Sequence, residues 1–351
     1  MLRKIFLGIV VLPGFISAHA QTDSIAPVPS GPVITGSVDI YYRYNFSDPK
    51  SGGLNNYTSF TNSQNSFELD MASIRADHSF GKASATVDLG FGRRAEEFSY
   101  ANSDHPSLFA VKQAYVSYAI SDKLKLSIGK WATHVGYELA DAYLNRNYSM
   151  DYMFSYGPFS HTGLKADIGL GAKSALMLGV ANTSDVVADA GSRKYALAQF
   201  STGTADDKLK LYLNYQGSYG GSFSTSQFDV VVTGAVTDKF SIGYNGTVQT
   251  TKPYKASSAA WWGSALYFNV DPTSAFGITL RGEYFDNKKG VVGAPATSIF
   301  DVTLSPNFKV GNLTIIPELR LDAGKDEIFE KNDGTPTKST VTGILAATYH
   351  F

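Results

Sequence analysis

Five histidines follow residue 20: His78, His105, His134, His161 and His350. They lie scattered, with no metal-ligand spacing among them. Cysteine is absent, which excludes a disulfide framework, a thiolate metal site, a Cys nucleophile and the Cys of a lipid anchor. There is no G-x-S-x-G, and no His/Ser or His/Asp set that reads as a catalytic group. Gly171-Ala-Lys-Ser174 imitates part of a phosphate loop, but it lacks the Gly-Lys-Ser order and falls in a turn. Each histidine reads as a polar wall or loop residue. The expectation is therefore no enzyme, no metal and no cofactor.

The ionisable residues that do show a pattern alternate with apolar ones. In Leu209-Lys-Leu-Tyr-Leu-Asn-Tyr215, one face carries Leu209, Leu211, Leu213 and Tyr215, and the other Lys210, Tyr212 and Asn214. Phe240 to Gln249 and Leu313 to Gly324 repeat it. Period two marks a strand with two unlike faces. Collected along the chain, the charged members of the polar phase are Asp39, Arg43, Asp88, Arg94, Lys125, Lys165, Asp167, Lys210, Asp229, Arg281, Glu283, Asp301, Glu318, Arg320 and Asp322. On a closed sheet these would line the lumen. Both signs are interspersed, which points to a transverse field rather than a strongly selective tube.

The elements that must position them number about sixteen. The periodic segments are 33–45, 66–80, 83–94, 108–120, 124–134, 160–170, 174–182, 193–201, 208–217, 226–236, 240–250, 258–270, 275–286, 297–309, 313–325 and 340–351. Most suit a tilted membrane strand of roughly 9–11 residues. The phase slips between Asp70 and Ser73, which predicts a bulge. Lys112 and Lys130 fall on the apolar phase, where long side chains would snorkel toward the loop side. Segment 193–201 has no clear phase. Trp131 and Trp261 fall on the inner phase.

The connections alternate short and long. The short ones are Gly81-Lys82, Ser121-Asp122-Lys123, Gly171-Ala-Lys173, Gly203 to Asp207, Thr237-Asp-Lys239, Asp271 to Ser274, and Gly311-Asn312. These are hairpin turns. The long ones are 46–65, 95–107, 135–159, 183–192, 218–225, 251–257, 287–296 and 326–339. Hydrocarbon offers the backbone no hydrogen bonds, so a membrane sheet must close on itself. The expected fold is all-β: a transmembrane antiparallel up-and-down barrel of about sixteen strands, with short periplasmic turns and long extracellular loops. Outward aromatic girdles would be Phe240, Phe268, Phe276 and Phe351 at the short-turn end, and Tyr42, Tyr44, Tyr215, Tyr244 and Tyr284 at the other.

Composition agrees. Charged residues are 17% of the chain, below the roughly 25% of soluble domains, yet mean hydropathy is only −0.10. Arg3-Lys4, the apolar run Ile5 to Ile16 and Ala18-His-Ala20 read as a secretory signal peptide over 1–20, cleaved near Ala20. Residues 21–32 read as a flexible periplasmic lead, and 33–351 as the barrel. The net charge of −1 carries no basic footprint for nucleic acid.

Two features carry a resemblance. The C-terminal Val341-Thr-Gly-Ile-Leu-Ala-Ala-Thr-Tyr-His-Phe351 resembles the assembly signal of outer-membrane barrels, with Tyr349 and Phe351 in one phase. Leu126-Ser-Ile-Gly-Lys-Trp-Ala-Thr-His-Val-Gly-Tyr-Glu138, Asn147-Tyr-Ser149, Tyr156-Gly-Pro-Phe-Ser-His-Thr-Gly163 and Lys112-Gln-Ala-Tyr-Val-Ser-Tyr118 resemble the β-barrel porin-2, OmpL-like family of bacterial outer-membrane porins.

The resemblance implies a bacterial outer-membrane location, contact with outer-membrane lipid, and recognition of the last strand by the barrel-assembly machinery. It implies passive diffusion of small hydrophilic solutes or ions through a water-filled lumen. Porins of this size are often homotrimers, and their third external loop often folds inward. By that likeness Glu138, Asp141, Arg146 and Asp151 of loop 135–159 are expected at the pore constriction. The alternative is a structural or partner-binding barrel without an open pore.

Overall fold

The computed structural model describes residues 31–100, 106–190 and 193–351. The signal-peptide reading, the segment 21–30 and His105 lie outside the described residues. The strands are β1 (Val33–Asn45), β2 (Ser66–Phe80), β3 (Ala83–Phe91), β4 (Val111–Ser121), β5 (Leu124–Ala132), β6 (Ser160–Gly169), β7 (Ala175–Ala181), β8 (Tyr195–Gly203) and β9 (Leu209–Ser218). They continue as β10 (Phe223–Thr237), β11 (Phe240–Pro253), β12 (Ala259–Thr273), β13 (Phe276–Asp286), β14 (Ser298–Val310), β15 (Leu313–Gly324), β16 (Phe329–Glu330), β17 (Pro336–Thr337) and β18 (Ser339–His350). Among the described residues two short α-helices, α1 (Arg93–Phe98) and α2 (Tyr152–Ser155), and 3-10 turns at Pro106–Leu108 and Ala142–Leu144 interrupt the long connections. Among the described residues no helix is long and apolar enough to cross a membrane.

Sixteen strands, each antiparallel to its neighbours, close into one barrel; β16 and β17 form a separate hairpin within connection 325–338. Closure joins β1 to β18, with Ser37 opposite His350 and Asn45 opposite Thr342. Phe351 extends the seam. Its amide donates to Gly36 O and its carbonyl accepts from Gly36 N, both at 3.0 Å. The Phe351 ring lies over Gly36, where a Cβ would meet Cζ at 2.6 Å. An aromatic ring over a strand glycine pins register and covers bare backbone.

The expected bulge is present. Asp39 pairs with Met71 and Ile40 with Leu69, leaving Asp70 as the extra residue. Its effect is local: Asp70 turns inward and is fully buried. The tight turns use glycine where φ must be positive, at Gly81 (57°) and Gly311 (60°).

Alternation sorts the side chains as the pleat requires. Outward positions are apolar and exposed, among them Ile40, Phe67, Val116, Ile128, Leu213, Phe228, Leu280, Leu304, Leu319 and Leu345. Aromatic pairs sit on this face toward both rims: Tyr42–Phe67, Tyr215–Phe228 and Trp262–Tyr284 at the long-loop end, Phe276–Phe308 and Tyr349–Phe351 at the short-turn end. The segment without a clear phase, β8, turns Tyr195 and Leu197 inward. There they pack with Trp131, Met177 and Ala181. An apolar patch on the inner wall erases the contrast between faces that the phase reading depends on.

Candidate functional site

Connection 133–159 leaves the end of β5 and returns to the start of β6, but its middle lies inside the barrel. Its tip reaches the short-turn end. Tyr143 stacks on His350, the last residue of β18, with ring centroids 5.0 Å apart. Arg146 donates to both carboxylate oxygens of Asp271 at 2.9 Å and to Thr279 Oγ1 at 2.7 Å. Asp271 stands two residues before the end of β12. The loop therefore runs nearly the depth of the wall.

A chain that crosses an interior must satisfy its amides without water. The wall supplies carboxylates for them. Glu318 accepts from Tyr148 N (2.7 Å) and Ser149 N (3.0 Å). Glu283 accepts from Tyr152 N (2.7 Å) and Met153 N (2.9 Å). Asp185, from the connection between β7 and β8, accepts from Phe159 N and Ser160 N, both at 2.7 Å. Wall arginines take the carbonyls: Arg281 donates to Ser149 O at 2.7 Å and Arg320 to Met150 O at 2.6 Å. Such charge-assisted bonds are roughly twice as strong as neutral ones. The loop is gripped mainly by its backbone.

Loop side chains finish the attachment. Tyr148 shares its hydroxyl proton between Asp39 Oδ2 (3.0 Å) and Asp70 Oδ2 (2.9 Å). Tyr152 donates to Asp322 at 2.8 Å. Asp151 caps α2 by accepting from Phe154 N at 2.6 Å, and it accepts from the Tyr267 hydroxyl at 2.7 Å. Beneath the loop the charges alternate: Glu138–Arg281 2.7 Å, Arg281–Asp301 3.1 Å, Asp301–Arg320 2.8 Å, Arg320–Asp322 2.8 Å. Burial, with Asp151 nearby, pushes the Glu138 carboxyl up to about 8 against the opposing pull of Arg281.

The residues expected to line the lumen therefore fall into two groups. Asp39, Arg43, Asp88, Arg94, Asp229, Arg281, Glu283, Asp301, Glu318, Arg320 and Asp322 face inward but are buried. Most lie against the loop. Arg43 instead ties connection 46–65 through Ser63 O (2.5 Å) and Leu54 O (3.1 Å). Lys125, Lys165, Asp167 and Lys210 keep partial access to the lumen. Arg94 is not on a strand. β3 stops at Phe91 and the helix α1 carries Arg94 inward to Asp70 at 2.6 Å. The periodicity ran on into a helix that happens to turn the same residue inward.

The four residues expected at a constriction also divide. Glu138 and Asp151 are buried where the loop meets the wall, whereas Asp141 and Arg146 are partly exposed. Asp141 accepts from Lys112 at 2.5 Å. Lys112 therefore does not snorkel outward. A register irregularity between Asp88 and Leu89, opposite the start of β4, accompanies its turn inward onto Asp88 and Asp141. Lys130 is likewise buried, donating to Val111 O at 2.7 Å and lying over the Phe98 ring.

Sequence reasoning missed Asp70, Arg75, Asp77, Asp185, Asp271 and Lys309. Arg75 and Asp77 follow the bulge, so continuing the shifted phase past Ser73 finds them. Asp271 falls in an expected turn and Lys309 at the last position of an expected strand; counting on from Tyr267 and Asn307 places both inward. Asp185, in a connection, leaves no periodic signal.

A family model described as "Putative beta-barrel porin-2, OmpL-like" matches residues 33–351. No curated protein matches the chain. Solved structures share the fold at low identity. The anion-selective porin from Comamonas acidovorans is 12% identical, with a TM-score of 0.62, over 92% of this chain and 99% of its own. The outer membrane channel DcaP of Acinetobacter baumannii is 11% identical, with a TM-score of 0.61, over 92% and 99%. OmpT of Vibrio cholerae is 10% identical, with a TM-score of 0.58, over 91% and 97%.

Proposed function

The chain belongs to the putative β-barrel porin-2, OmpL-like family, and from that premise we propose that it is a passive diffusion pore for small hydrophilic solutes or ions. One observation carries the reading. The inserted loop lies against β10 to β15, β18, β1 and β2 and reaches Lys112 of β4, while the polar inner positions Arg75, Lys125, Lys165, Asp167 and Lys210 keep access to solvent. The pore runs between the loop and that wall, and Arg146 and Asp141 border it from the loop side. A barrel of about sixteen strands has room for such a channel, whereas eight strands would be filled by side chains.

In this reading the barrel sits in the bacterial outer membrane, with its short turns and both ends of the barrel segment periplasmic. Residues 1–20 are a cleaved signal peptide and 21–32 a periplasmic lead. Tyr349 and Phe351 present the last strand to the barrel-assembly machinery, and the protein assembles as a homotrimer. Cross-linking of native membranes tests the last point.

The depth of burial beneath the loop favours a second reading, a barrel with no open pore. Single-channel recording of purified, reconstituted protein separates the two. Steady openings are expected. Silence across many insertions would favour the closed barrel.

A further inference from the structure

The inner wall carries both signs, but the structure sorts them by access. The carboxylate-rich set lies sealed behind the inserted loop. There its charge is matched by Arg94, Arg281 and Arg320 and by loop amides. What solvent meets in the short-turn half of the lumen is different in sign.

Two carboxylates there are each shared by two cations. Asp167 on β6 faces Lys125 and Lys165, each at 3.5 Å. Asp271 on β12 faces Arg146 at 2.9 Å and Lys309 at 3.5 Å. All six groups are between a fifth and about a third exposed. Arg75 and Asp77 pair one to one at 2.6 Å. Lys210 faces inward on β9 with no ion pair among the described residues. Six cations thus stand against these three carboxylates and Asp141, which is less exposed than they are and is held by the buried Lys112. An ammonium 3.5 Å from its carboxylate also keeps donors free for a passing ion.

Clefts lined by one sign with low-dielectric walls focus the field and concentrate the opposite ion. Lys and Arg linings are the arrangement that passes anions. We propose that the lumen selects for small anions, with Lys125, Lys165 and Lys210 as the selecting residues of the β5–β9 wall and Arg146 and Lys309 facing them. This rests on the reading of the barrel as an open pore. It departs from the unselective field expected of a wall whose charges were all exposed.

The test is the reversal potential of the full purified chain in a planar bilayer under a potassium chloride gradient. Chloride is expected to permeate several-fold better than potassium, and the preference should shrink as salt rises, since the Debye length falls from about 10 Å at 0.1 M to about 3 Å at 1 M. The pair K125Q/K165Q should bring the permeability ratio toward one. K210Q, which breaks no ion pair, should move it the same way. K288Q, on an outer connection, should leave it unchanged. Open channels with no preference, or with preference for potassium, would overturn the proposal and leave the pore reading intact. A ratio that K125Q/K165Q and K210Q both leave unmoved would overturn it too. A wild-type chain that never opens would remove the pore reading, and this proposal with it.

Discussion

Arg146 and Asp271 form a two-pronged ion pair that fixes the tip of the inserted loop to the short-turn end of β12, 125 residues away in sequence. Both side chains are about one-third exposed, so solvent screens the pair. Its bidentate geometry still sets it above an ordinary surface contact.

Cutting that pair should free the tip without unfolding the barrel. In Asp271→Asn, Arg146 keeps Thr279 but loses its charge partner. A loss of about 1 kcal/mol would shift the docked-to-free ratio of the tip roughly fivefold. The expected outcome is more frequent brief closures in single-channel traces, with folded yield unchanged. Traces as quiet as wild type would show that the pair does not hold the tip.

The backbone grip predicts a larger effect deeper in the loop. Glu318→Gln keeps the shape but halves the acceptor capacity that serves Tyr148 N, Ser149 N and the Ser305 hydroxyl. One buried amide is left with a weakened or missing partner, a cost of about 1–3 kcal/mol. Glu283→Gln should behave alike at Tyr152 and Met153. Thermal unfolding followed by the strand signal in circular dichroism checks both. By contrast Tyr143→Phe should be near neutral, because its ring rather than its hydroxyl makes the stack on His350.

These contacts mark what the sequence reveals and what it hides. Strand order and closure were legible because membrane strands must alternate and must pair, so Leu209 to Tyr215 carries its own orientation. The inner face was legible by phase: Asp301, Arg320 and Asp322 all turn inward. Access was not. Nothing in the spacing of Glu283 or Glu318 says that a loop more than a hundred residues earlier will cover it. Glu138 and Arg146 look equivalent in a Tyr-rich loop, yet one is sealed and the other borders solvent, because only the path of the backbone separates them. Mixed charge in the sequence becomes sorted charge once that path is known.

The seam offers a separate test. At Gly36 a Cβ would meet the Phe351 ring at 2.6 Å and Ser73 O at 2.7 Å. Gly36→Val must therefore displace the ring or part the strands. It should lower the heat-resistant folded fraction on gels by more than Phe351→Ala, which removes the ring but keeps the paired backbone. Combining the two should recover only part of the loss, since the Ser73 carbonyl remains in the way. Full additivity of the two losses would show that ring and glycine do not interact.

The roots of the loop carry a pH dependence whose sign is fixed. His134 lies 5.2 Å, centroid to centroid, from His161, and its Nε2 meets Tyr215 O at 3.1 Å. Thr133, Gln199 and Lys165 also face this pair. Burial lowers the His134 pKa to about 4, with Lys165 adding to the effect and the Tyr215 carbonyl opposing it. The neutral ring fits the fold and the charged ring does not. The His134 contribution is therefore intact above pH 6.5 and is lost as pH falls toward 4, to a limit of about 3 kcal/mol. Asp185, at the other root, works in the opposite sense. Burial raises its pKa to about 6 against the amides of Ser160 and Phe159, so its protonation between pH 6 and 4 relieves a penalty. In the wild type the two partly cancel. In His134→Gln the His134 term is removed while the Asp185 term stays, so the variant should gain stability relative to wild type between pH 7 and pH 4.5. Unfolding midpoints in urea at the two pH values measure it, and an equal drop in both proteins would show that His134 does not titrate with the fold.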